Sequence, residues 1–165
     1  MRFIYTTKDR VFFSRINNKM TKYHQGRYTP INKHKYRGDI SNIIWRSSWE
    51  FRFLRWCDMN PAVLEYSSEE TVIPYRCATD GKIHRYFCDF RIKIKTTTGD
   101  VKTYLVEVKP YKETLPPKEP TRKSRRYLQE SFTYIKNQSK WEAARQYCAD
   151  RGWHFIVITE KELGL

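Results

Sequence analysis

Tyr86-Phe87-Cys88-Asp89-Phe90-Arg91-Ile92-Lys93-Ile94-Lys95 and Val101-Lys102-Thr103-Tyr104-Leu105-Val106-Glu107-Val108-Lys109 are two alternating, β-prone runs on either side of Thr97-Thr98-Gly99. Such a pair reads as an antiparallel hairpin. With Gly99 in the left-handed position of a three-residue turn, opposed residues have numbers that sum to 196. Asp89 then stands across from Glu107. The two-residue repeat puts Phe87, Asp89, Leu105, Glu107 and Lys109 on one face, and Cys88, Phe90, Val106 and Val108 on the other. The apolar neighbours of both carboxylates predict burial.

Like charges facing one another in a sheet are destabilising unless something positive lies between them. A divalent cation would supply that charge. Hard oxygen donors suit Mg²⁺, with Mn²⁺ as a substitute, and leave coordination positions for water and a phosphate oxygen. Lys109 is then placed to orient or help deprotonate an attacking water, or to stabilise charge on phosphate, an arrangement for phosphodiester hydrolysis. The plainer alternative is a solvated face on which Asp89 and Glu107 pair with Arg91, Lys93 or Lys109. A third acid, Glu50, borders the core face of a helix upstream and would complete a metal site. Yet Ser47-Ser48-Trp49-Glu50 also fits a capping box, in which Glu50 only satisfies a backbone N–H.

Working outward, Ile43, Ile44, Trp45, Trp49, Phe53, Leu54, Trp56 and Cys57 recur at helical spacing until Asn60-Pro61, predicting a first core helix. Val63 to Tyr75 reads as one or two strands, with Pro74 implying an edge or a strand end. Pro110 to Pro120 is rich in Pro and Lys and predicts a loop, followed by the basic run Arg122-Lys123-Ser124-Arg125-Arg126 that leads into a helix. Ser139-Lys140-Trp141-Glu142 predicts the opening of a further helix that runs to about Asp150 and stops at Gly152. Trp153 to Ile158 then reads as a buried strand and Thr159-Glu160-Lys161-Glu162 as a second capping box. This order predicts an α/β or α+β fold, a sheet flanked by helices.

Lys and Arg number 32 against 18 Asp and Glu, a net charge of +14, which points to a phosphate polymer as partner, DNA above all. Residues 1–40 hold ten of those cations against Asp9 and Asp39, with Tyr5, Tyr23, Tyr28 and Tyr36 interleaved, and read as a basic arm ahead of a domain spanning 41–165. Within it, Phe3, Ile4, Val11, Phe12 and Phe13 would alternatively add a strand to the core. No apolar run approaches the roughly 20 residues that span a bilayer, and the first ten lack the core of a signal peptide, which predicts a soluble, intracellular protein. Cys57, Cys77, Cys88 and Cys148 never form C-x-x-C pairs. Reduced, buried thiols are expected rather than a zinc site assembled with distant residues such as His84 and His154.

Glu50, Asp89 and Glu107-Val108-Lys109 together resemble the PD-(D/E)xK nuclease superfamily. The wider string Arg46-Ser47-Ser48-Trp49-Glu50, Tyr86-Phe87-Cys88-Asp89-Phe90, Glu107-Val108-Lys109-Pro110, Lys140-Trp141-Glu142-Ala143-Ala144 and Phe155-Ile156-Val157-Ile158-Thr159-Glu160 is similar to the TnsA-type endonucleases and to the head-completion nucleases of T-even-like phages. The resemblance implies a restriction-endonuclease-like mixed sheet between helices, with Glu50, Asp89, Glu107 and Lys109 as catalytic residues and the three acids holding Mg²⁺. It also implies cleavage of DNA in the host cytoplasm while heads are completed for tail joining, with head or neck components as partners. One departure stands out: Cys88 occupies the position where the superfamily's name motif has Pro. Two rivals share the composition: a structural DNA-binding or connector protein of the virion, and a structure-selective resolvase with the same core. A structural binder gives no reason for the acid-acid-Lys face. No base-reading motif is visible, so little sequence specificity is expected.

Overall fold

The computed structural model describes residues 25–163. The Phe3 to Phe13 alternative lies outside them. Val63–Arg76 (β3), Ile83–Lys95 (β4), Val101–Val108 (β5) and His154–Ile158 (β6) form a four-stranded mixed sheet in the order β3-β4-β5-β6. The first two pairings are antiparallel, whereas β5 and β6 run parallel, joined by the long helix Arg125–Ala149 (α3). The remaining pieces are a two-residue pair, Gly26–Arg27 (β1) with Ile44–Trp45 (β2), the helices Ser48–Met59 (α1), Tyr111–Thr114 (α2) and Glu160–Leu163 (α4), and the 3₁₀ turns Lys33–Lys35 and Ile40–Asn42.

The hairpin register is the predicted one. Phe90 pairs with Val106, Ile92 with Tyr104 and Lys95 with Val101, all summing to 196, and Gly99 sits at φ +90° in the turn. The side-chain alternation differs, however. Phe90, Ile92, Val106 and Val108 pack with Phe53, Leu54, Trp56 and Cys57 of α1. Tyr86 and Cys88 join Leu105 on the α3 side, with Ala144 and Cys148. Even-numbered residues of β4 therefore change sides at Asp89, and Phe87, expected on the acid face, is 45% exposed. The neighbouring strand supplies the reason. Between Ser68 and Thr71, β3 carries a bulge, with Glu69 at φ +56°, and a bulge bends the ladder and sharpens its twist. Beyond this point β4 pairs with β3 and no longer with β5, and Tyr86 and Cys88 join Ile73 and Tyr75 of β3 in the cluster against α3.

Two helix boundaries also differ from expectation. The first helix begins at Ser48, because Ser47 caps it by accepting from Glu50 N–H at 3.1 Å, while Ile44 and Trp45 are extended in β2. The helix expected to open at Ser139 is the second half of α3, which starts at its cap Ser124. Ser139 lies inside it, and its hydroxyl donates to the Ile135 carbonyl at 3.0 Å in the way serines are accommodated in helix interiors. The loop after Lys109 contains the single turn α2. Pro74 does lie on an edge strand, β3, and Thr159 does cap the final turn, with its N–H donating to Glu162 Oε2 at 2.8 Å. The four thiols are free and buried. A mixed sheet with α1 on one face and α3 on the other is consistent with the restriction-endonuclease-like core.

Residues 25–40, the described part of the basic segment, are tied to the core through Asp58 at the end of α1. Its fully buried carboxylate accepts from Tyr28 Oη at 2.8 Å, Ile31 N–H at 2.7 Å and Asn32 N–H at 2.9 Å. Together these bonds hold the carboxylate below its ordinary range despite burial. Lys35 Nζ caps the same helix end, donating to the Asp58 and Asn60 carbonyls. Tyr36 then bridges to Tyr66 along the outer edge of β3. No described helix is long and apolar enough to cross a membrane.

Candidate active site

The bend at Asp89 brings four groups together. Glu107, 2% exposed near the end of β5, is held on both oxygens: Tyr86 Oη donates to Oε2 at 2.6 Å, and Lys109 Nζ lies 3.1 Å from Oε1. Asp89 accepts from Val108 N–H through Oδ2 at 2.8 Å, which locks it across the ladder from Glu107. Lys109 is itself anchored by its backbone N–H to the Ile158 carbonyl of β6 at 2.9 Å. The solvated alternative fails for Glu107, which is buried. The ion pairs of Arg91 and Lys93 with these acids are absent among the described residues, where Lys93 lies near Glu65 instead.

Electrostatics follow from this crowding. Burial, and next the charge of Glu107, push the Asp89 carboxyl up to about 8. Burial pulls the Lys109 ammonium down, but Glu107 and Asp89 outweigh it and leave its pKa above the ordinary value. Lys109 is therefore a cation at rest.

Glu50 makes the expected capping contacts, with Oε1 accepting from Ser47 Oγ at 3.0 Å and Oε2 from Arg46 N–H at 2.7 Å. Its charge is also one of those raising Asp89, so the cap lies within electrostatic reach of the two acids. Both readings of Glu50 thus remain physically compatible, since a carboxylate has lone pairs to spare after two hydrogen bonds. Arg46 ion-pairs with Glu69, the bulge residue, and feels both Glu50 and Asp89.

Tyr86 and Lys140 were not foreseen as part of the site. Tyr86 fixes the rotamer of Glu107, and Lys140 Nζ stands 5.4 Å from the Tyr86 ring centroid. Burial lowers the Lys140 ammonium, opposed by the charges of Glu107 and Asp89. A signal for Lys140 was present: it lies four and eight residues before Ala144 and Cys148, on the stripe of α3 that packs into the core. A lysine there must have a partner. Nothing comparable marks Tyr86, because its place depends on the change of side at Asp89.

Residues 60–160 match the family model of the TnsA-like endonuclease N-terminal domain. The head completion nuclease of enterobacteria phage T4 is 40% identical over 144 residues, an alignment covering 85% of this chain and 93% of that protein. No solved structure matches it significantly. A matched stretch that runs from the end of α1 to the start of α4 and encloses the opposed acids, Lys109 and Lys140 places the chain in the TnsA-like endonuclease family.

Proposed function

We propose that this chain is a metal-dependent DNA nuclease that acts in phage head completion, with Asp89, Glu107 and Glu50 as metal ligands and Lys109 as the catalytic cation. The carrying observation is the convergence of Asp89 and Glu107 beside Lys109: Asp89 held on the Val108 N–H at 2.8 Å, and Glu107 buried between Tyr86 Oη at 2.6 Å and Lys109 Nζ at 3.1 Å. The donor set fits a hard divalent cation, because every candidate ligand atom is a carboxylate oxygen, and a dication would offset the charge that Asp89 and Glu107 bring together. Mg²⁺, or Mn²⁺ in its place, is the ion this set suits. Such an ion activates water and polarises phosphate. The chain's own residues do the rest. Tyr86 and Val108 N–H fix the two acids, and Lys109, charged at rest, orients the water or steadies the phosphate rather than deprotonating anything. Lys140 provides a second cation for the phosphate backbone.

DNA is the substrate that the charge balance of 32 Lys and Arg against 18 Asp and Glu supports. Head or neck components as partners, and work within the infected host, belong to this proposal, and the name of the T4 relative, head completion nuclease, supports the role in heads. The test is incubation of linear, supercoiled, branched and single-stranded DNA with Mg²⁺, with Mn²⁺ and with EDTA, beside Asp89→Asn. Cleavage that needs the metal and Asp89 is the expected result. Binding without any cleavage would sink the enzyme reading and favour a connector, whereas cleavage confined to branched DNA would favour a resolvase.

A further inference from the structure

The tip of the β3–β4 hairpin gathers three side chains that the nuclease reading does not use. Cys77, Asp80 and His84 are spaced i, i+3 and i+7, and the turn between the strands folds their ligand atoms to within 4.8 Å of one another. The turn is well tied. Cys77 N–H donates to the Lys82 carbonyl at 2.8 Å, Gly81 N–H to the Cys77 carbonyl at 2.8 Å, and Arg76 to the Gly81 carbonyl at 2.8 Å. Gly81 sits at φ +69°, which a side chain would oppose. Asp80 Oδ1 accepts from Lys82 N–H at 3.0 Å, leaving Oδ2 to face His84 Nε2 at 2.8 Å, and Cys77 Sγ lies 3.0 Å from Thr79 Oγ1.

We propose that Cys77, Asp80 and His84 form a second metal site, separate from the catalytic acids, that takes a borderline-soft divalent ion of the Zn²⁺ or Co²⁺ class with water in the fourth position. The donor chemistry decides the ion. Thiolate and imidazole select Zn²⁺ or Co²⁺, whereas Mg²⁺ demands oxygen, so the two sites sort metals by hardness. The geometry allows it too. Metal–ligand bonds of about 2.0–2.3 Å in a tetrahedron put donors roughly 3.4–3.6 Å apart, so the three atoms need only draw in slightly and the His84–Asp80 hydrogen bond open.

The site has a structural consequence. Ala78, between the ligands, donates its N–H to Ser139 Oγ at 3.2 Å, and Ser139 immediately precedes Lys140. A bound ion would therefore brace the free end of the hairpin against α3 near the active site without entering the chemistry.

The test is titration of the full-length protein with Co²⁺ in saturating Mg²⁺, read by thiolate-to-cobalt charge-transfer absorption, a band that the all-oxygen acids cannot produce. One equivalent should bind with that band. His84→Gln and Asp80→Asn, both at exposed positions, should weaken binding by at least about tenfold, and Cys77→Ser should remove the band. Glu107→Gln should leave it unchanged. Zn²⁺ should likewise raise the Tm of the unaltered protein and of Glu107→Gln but not of His84→Gln. Absence of the band, or its persistence at full affinity in His84→Gln, would overturn the proposal. Loss of the band in Glu107→Gln would do the same by assigning the ion to the catalytic acids, and that result leaves the nuclease reading standing.

Discussion

Taking the metal-free protein from about pH 5.5 to about pH 8.5 should lower its stability by a few kcal/mol through Asp89 alone. Asp89 titrates near 8 in the folded chain against an ordinary 3.8, so across that window the native state holds a proton that the unfolded chain has released. Stability is then full below about pH 4 and declines as pH rises towards 8, the reverse of an ion-paired carboxylate. The whole displacement corresponds to a ceiling of about 6 kcal/mol at 1.36 kcal/mol per pH unit. The structure argues for less, about 2–3 kcal/mol, because the Asp89 side chain is partly exposed and solvent screens its charge. Urea denaturation in EDTA at the two pH values measures it. Asp89→Asn, isosteric and uncharged, should lose this component of the slope and be the more stable protein at high pH. Adding Mg²⁺ should stabilise the unaltered chain most at high pH and release a proton on binding at low pH. An unaltered protein no more pH-sensitive than Asp89→Asn would refute the crowding of Asp89 against Glu107 on which the metal argument rests.

Glu107→Gln should remain folded and lose cleavage, whereas Glu107→Ala, which strands Tyr86 Oη and Lys109, should also lose about 1–3 kcal/mol in thermal or chemical denaturation. Lys109→Met should lose most activity yet bind Mn²⁺ by calorimetry as the unaltered protein does; a loss of metal affinity as large as in Asp89→Asn would make Lys109 part of the metal site instead. Glu50→Gln can still accept the Arg46 N–H, so a stable, inactive variant supports a metal role and a stable, active one leaves only the cap. Deleting residues 1–24 should weaken DNA binding and flatten its salt dependence, by about 0.9 per lost phosphate contact in a log-log plot, with cleavage preserved at low salt. Deletion reaching residues 26–37 should instead unfold the chain, because it leaves Asp58 buried without its three donors, a cost of roughly 3–5 kcal/mol for an abandoned buried charge.

Local rules determined a good deal. Alternation and the Gly99 turn set the β4–β5 register as far as Phe90 and Val106, and that register brings Asp89, held on the Val108 N–H, to the same end of the ladder as Glu107. Ser47 and Thr159 marked helix starts through caps that need only their near neighbours. What lay beyond such rules depended on contacts between distant segments. Ser139 looks like a cap until α3 is seen to continue through it, since the packing of Trp141, Ala144 and Cys148 outweighs a local preference. The exchange of Phe87 for Tyr86 at the acids required a bulge in another strand, the burial of Tyr28 required the Asp58 carboxylate 30 residues away, and that of Tyr36 required Tyr66 and Ser68 of β3. Cys77, Asp80 and His84 converge for the same kind of reason: their spacing means little until the turn between β3 and β4 closes, and only the folded chain decides which donor atoms that turn brings within reach of one ion.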